Sequence, residues 1–131
     1  MEMCKMNVLS VTRDVEGGGG LVQLPLHLIT HMVYLKAKNR VVVHTVDEEY
    51  YIMGTLMYWK KAISATGYRF VCADKTNVVN IDRIKAMDSD RHIAYFEEFP
   101  TKHSKSCTLT SIRFNEISKR IGIIGSSICF A

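Results

Sequence analysis

The sequence predicts a mainly β fold of antiparallel sheets carrying two short helices. Three observations lead there. Many short runs alternate in polarity or are rich in β-branched and aromatic residues, and only two segments change to a helical period. The stretches between strand-like runs are too short for the crossover that a parallel pair needs. At 131 residues the chain has the length of one domain, and 47% hydrophobic with 23% charged residues supplies a core and excludes disordered and fibrous classes.

Residues 7–14 read as a first strand, and the run Gly17 to Gly20 as a flexible turn, either a hairpin or a linker. Leu21 and Val22 follow the last glycine where a phosphate-binding loop needs Lys and then Ser or Thr, so no nucleotide site is read there. Residues 21–26 are extended, and Pro25, lacking an N–H for a ladder, marks an edge or strand end. Strand 30–37 leads into a basic hairpin tip at Lys38, Asn39 and Arg40, and 41–46 and 48–53 complete a meander.

From 55 to 65 the apolar residues Leu56, Trp59 and Ile63 recur at helical spacing, with Thr55 as N-cap and Gly67 as stop. Residues 68–73 return to strand composition, 74–76 form a polar loop, and 77–80 are extended. Residues 82–88 fit a short helical turn or strand, 91–98 a strand, 101–106 a polar connection and 107–110 a last core strand. The second helix spans 111–121 and closes at Gly122. The tail 123–130 is apolar and uncharged, so it needs the body, a second copy or a partner protein to cover it.

Chemistry-bearing residues narrow the function. His27 and His31 are four apart but lie in an extended context without a third ligand, so no metal and no other cofactor is expected. Four cysteines at 4, 72, 107 and 129 form no Cys-x-x-Cys pair, which with the lack of a signal peptide or long apolar run implies reduced thiols, a cytoplasmic protein and no membrane partner. No nucleophile elbow is present, and an enzyme is not expected. The net charge of +4 makes a polyanion partner plausible. Lys36, Lys38 and Arg40 crowd one hairpin tip, Lys75 sits in a polar loop, and 101–120 carries Lys102, Lys105, Arg113, Lys119 and Arg120 against the single acid Glu116.

The segment 70–84, with Phe70, a polar loop at 74–76, the Val79-Asn80 pair and Ile81 and Ile84, resembles the LytTR family of bacterial DNA-binding domains, usually found at the C-terminus of response regulators. Flanking blocks 29–45, 51–59 and 107–121 agree in order and spacing, and the likeness runs from Leu24 to Ile121. It implies an elongated antiparallel multi-sheet domain whose three loops contact successive major grooves of double-stranded DNA. Carried over position by position, it places Asn39 in the first contact loop, Lys75 in the second and the 110–113 stretch in the third. Asp74 stands where the family pattern has a basic or aromatic-polar residue, and Ser111 and Ile112 occupy its usual basic place, with Arg113 one step later.

The sequence thus divides into an N-terminal strand and turn (1–23), a LytTR-like domain (24–121) and an apolar tail (122–131). Its expected function is sequence-specific double-stranded DNA binding and transcription regulation through Lys38, Asn39, Arg40, Lys75, Thr76 and Arg113. The residues before Leu24 are too few to fold as a receiver, so none is expected in the chain. The alternative is a protein-interaction module on the same fold, with DNA affinity weakened by Asp74 and Ile112.

Overall fold

The computed structural model describes residues 7–123, 125, 126 and 128. Among these residues ten strands form two antiparallel sheets, accompanied by two α-helices. The larger sheet takes β1 (Val8–Thr12), β2 (Leu21–Pro25), β3 (His31–Leu35), β4 (Arg40–His44), β5 (Glu49–Ile52), β6 (Phe70–Asp74) and β7 (Asn77–Asn80) in the order β2-β1-β5-β4-β3-β7-β6. The smaller sheet is β8 (Ala86–Asp88), β9 (Ile93–Tyr95) and β10 (Ser106–Thr108), in the order β10-β9-β8.

The central strands β3, β4 and β7 of the large sheet are buried on both faces, and their period-two alternation separates two cores. Val41 and Val43 of β4, Met32 of β3 and Val78 of β7 point to one face, where α1 (Leu56–Ala65) lies across the sheet and adds Ile63 and the partly buried Leu56 and Trp59. Val79, one residue on, points to the other face, where the small sheet and α2 (Ser111–Ile121) contribute Met87, Ala94, Leu109, Phe114 and Ile117.

Both helices begin as their sequences require. Thr55 Oγ1 accepts the Tyr58 N–H at 3.0 Å, and Thr110 Oγ1 accepts the Arg113 N–H at 3.2 Å, each satisfying a donor the first turn leaves open. Gly122 ends α2 with a φ of 71°, a left-handed cap that glycine takes without a Cβ clash.

Several expected boundaries change. The strand expected over 30–37 stops at Leu35, where 36–38 tighten into a 3-10 turn. The strand expected over 91–98 shortens to Ile93–Tyr95, because its ladder is limited by the three-residue partners on each side. The ambiguous stretch 82–88 resolves into a 3-10 turn at Ile81–Arg83 followed by β8. The glycine run is held in place, since the Asp14 carboxylate accepts the N–H groups of Gly18 at 3.0 Å and Gly19 at 2.8 Å. Those bonds, Gly19 foremost, hold the Asp14 carboxyl below its usual range.

Of the tail, Ile123 packs against the second core and Ser126 exchanges backbone hydrogen bonds with β8 and Ser89. Residues 124, 127 and 129–131, on which part of the expected tail contact falls, lie outside the described residues. Among the described residues no helix is long and apolar enough to cross a membrane, and no three His, Cys, Asp or Glu side chains gather as metal ligands.

Candidate nucleic-acid interface

Strand register decides which loops share an end. Leu35 pairs with Arg40 at the β3–β4 tip, and Val33 of β3 pairs with Asn77 at the start of β7. The Tyr34 N–H donates to the Thr76 carbonyl at 3.0 Å, so the β6–β7 turn lies beside the β3–β4 tip. On the far side of that turn, the Thr110 N–H donates to the Ala73 carbonyl at 3.1 Å, which docks the N-terminus of α2 next to it. The β1–β2 loop joins this end through Arg40, whose Nε donates to the Val15 carbonyl at 3.0 Å.

Lys38, Asn39, Arg40, Lys75, Thr76 and Arg113, which the sequence places in three distant segments, therefore come together at one end of the molecule. Lys36, Lys38, Asn39, Lys75, Thr76 and Arg113 are exposed there. Among the described residues Lys36, Lys38 and Lys75 make no ion pair, so their charge is free to meet an anion. The N-terminus of α2 adds the positive end of its dipole.

The side chains differ in how they are held. Arg40 is half-buried, and its Nη1 also donates to the carbonyls of Lys38 at 3.2 Å and Asn39 at 3.1 Å, so it braces the tip. Arg113 pairs with Glu116 at 3.2 Å on an exposed surface, a contact worth about 0–1 kcal/mol that a phosphate or base can displace. Asn39 has a φ of 52° and accepts the Tyr34 hydroxyl on Oδ1 at 2.9 Å, which leaves its amide N–H groups as donors.

Asp74, a departure from the family pattern, has a structural task. Its Oδ1 accepts the Thr76 N–H at 2.8 Å, the Thr76 hydroxyl at 3.2 Å and an Asn77 amide N–H at 2.8 Å. The carboxylate thereby organises the turn that carries Lys75. Ile112, the other departure, is 70% exposed beside Arg113.

The basic cluster expected over 101–120 is divided. Lys105 lies at the opposite end of the sheet, where Nζ stands 3.2 Å from His44 Nδ1 and donates to the Glu48 carbonyl. Lys119 and Arg120 fall in the last turn of α2, roughly 10 Å along the axis from Arg113 at 1.5 Å per residue. The β4–β5 turn at that opposite end carries the exposed acids Asp47, Glu48 and Glu49, whereas Lys36, Lys38 and Lys75, without ion pairs among the described residues, lie at the first end.

Sequence reasoning missed the stack that lies behind this arrangement. His31 and His44, register partners in β3 and β4, stack at 4.4 Å, and Phe96 covers His31 at 5.1 Å. The only legible signal was one histidine in each of two adjacent strands. Burial, then His44 and Lys105, push the His31 pKa down to about 3, and burial with Lys105 pushes His44 to about 4.

A backbone test follows at the tip. Asn39→Ala forces a Cβ-bearing residue without a compensating amide into the left-handed region and costs about 1 kcal/mol, whereas Asn39→Gly stays within a few tenths. Equal melting temperatures for the two variants would show that the tip relaxes.

No curated protein matches the sequence. Among solved structures, one described as the LytTr DNA-binding domain of a methyl-accepting/DNA response regulator from Bacillus cereus superposes with a TM-score of 0.66. It is 15% identical and the match covers 92% of this chain and 100% of that one, which is a likeness of fold. A sequence model of the LytTr DNA-binding domain matches residues 20–119. With well over half its length matched, the chain belongs to the LytTR family of DNA-binding domains.

Proposed function

We propose that this DNA-binding domain reads specific sequences in double-stranded DNA and thereby regulates transcription. The observation that carries the reading is the convergence of the β3–β4 tip, the β6–β7 turn and the α2 N-terminus on one basic end, with the acids of the β4–β5 turn at the other. Such a charge distribution orients the basic end toward a duplex before contact. Lys38 and Lys75, exposed and unpaired among the described residues, serve as phosphate contacts. Arg113, able to release Glu116, forks onto guanine, and Asn39 donates its amide N–H groups to a base-edge acceptor.

Fluorescence anisotropy on a duplex selected from random sequence, and on random duplex, tests this over a salt series. Lys75→Ala weakens both alike and reduces the slope of log K against log salt by about 1. Arg113→Ala weakens the selected duplex about tenfold or more and nearly spares the random one. A selection that enriches no sequence overturns specific recognition, and an unchanged slope removes Lys75 from the interface.

A further inference from the structure

Beside the basic end lies a concavity that Lys38, Asn39, Lys75 and Arg113, the contacts proposed above, do not line. β1 meets β5 through one bridge, Thr12 with Tyr51, and this thin seam leaves an open cavity of about 460 Å³ between the β1–β2 hairpin, the end of β5 and the start of α1. That volume lies in the range of small-molecule sites. Its lining is largely apolar, with Val11, Val15, Leu21, Ile52, Met53 and Trp59. Two of its lining side chains are largely exposed, Leu21 at 73% and Met53 at 59%. Two exposed apolar side chains at the mouth of an apolar concavity offer surface that a ligand can cover.

The cavity is preformed. Trp59 is fixed by its indole N–H on the Met53 carbonyl at 2.6 Å, and a Cβ on Gly54 would stand 2.8 Å from that nitrogen, so the wall is closely packed. The polar group that decides the ligand class is Arg40. Its Nε and Nη1 are used by the carbonyls of Val15, Lys38 and Asn39, and none of these bonds uses Nη2, while the residue itself lines the cavity. Glu16, the other charged lining residue, is exposed and free to swing outward.

We propose that this cavity binds a small amphipathic carboxylate, its apolar body against Trp59, Leu21 and Met53 and its carboxylate on Arg40. Bound there, it neutralises a cation at the DNA-facing end and weakens DNA binding. This second effect rests on the DNA reading above, whereas ligand binding stands apart from it.

Trp59 is the single tryptophan of the chain and reports occupancy directly. Titrating decanoate into the full chain changes Trp59 emission saturably. Leu21→Ser and Met53→Ser, both at exposed side chains that folding does not require, each weaken binding about fivefold or more. Phe99→Ser, at an 82% exposed residue that does not line the cavity, leaves it unchanged. Decylamine binds about tenfold more weakly than decanoate. Saturating decanoate weakens duplex binding several-fold in the parent and not in Leu21→Ser. The site is overturned if emission never saturates or if the three serine variants bind alike, and the anionic class if decylamine binds as tightly as decanoate. Saturable binding with unaltered DNA affinity overturns the coupling alone. If no duplex binds at all, the DNA reading fails while the fluorescence result stands.

Discussion

Lowering the pH from 6.5 to 4.5 removes about 3–5 kcal/mol of folding stability through the His31 and His44 stack. His31 is 3% exposed, and Thr30 Oγ1, which donates to the His44 carbonyl at 3.1 Å, faces His31 Nδ1 at 3.0 Å. Lys105 Nζ stands 3.2 Å from His44 Nδ1, and burial together with this cation favours the neutral His44 ring. Protonating either ring places a charge beside the other ring and Lys105 in a buried seam, and at His44 the Glu49 carboxylate, with Oε2 at 4.0 Å from Nδ1, opposes part of that cost.

The sign follows from folded pKa values near 3 and 4 against an ordinary 6.5. Between those limits the unfolded chain binds more protons, so stability is complete above about pH 6.5 and drains away as pH falls toward 4. Each histidine contributes at most about 1.4 kcal/mol per pH unit there. Melting temperatures over this range measure it, and His31→Phe, which keeps the stack without its proton site, flattens the dependence. A parent protein as stable at pH 5 as at pH 7 would contradict neutral buried rings.

Phe114→Ala costs about 3–5 kcal/mol of stability, the range for emptying an aromatic site in a core. Phe114 is 5% exposed, lies against the His92 ring at 5.0 Å, and belongs to the turn of α2 that begins at Thr110. The backbone of Gly125 covers it so closely that a Cβ there would stand 2.7 Å from the tip of the ring. Gly125→Ala is therefore expected to cost about 1–3 kcal/mol in the parent and much less in Phe114→Leu. Urea unfolding of the four proteins of this cycle measures the coupling. Additive losses would mean that the tail does not rest on Phe114. Because Arg113 precedes Phe114, the same ring sets where α2 presents its guanidinium.

Local sequence was enough to place both helices. Thr55 and Gly67 bracket α1, and Gly122 closes α2 at the expected residue, because capping and left-handed stops depend on a few neighbouring atoms. Thr110, read as the end of a strand, turned out to be the α2 cap, a boundary that strand propensity obscures. The order of short strands, their antiparallel sense and the segment 70–84 were likewise legible, as was the resemblance that the family match over 20–119 establishes.

Composition and propensity determined that this chain is a mainly β domain and which residues lie in its turns, since turn chemistry and period-two patterning are local. Only the tertiary structure decided which turns share an end. Register placed Thr76 against Tyr34 and Ala73 against Thr110, which drew Lys38, Lys75 and Arg113 together and sent Lys105 to the opposite end. It also turned Asp74 inward on its own loop and buried two histidines face to face. These are pairings between residues distant in sequence, set by the hydrogen-bond ladder and the burial of both sheet faces, and no local pattern encodes them.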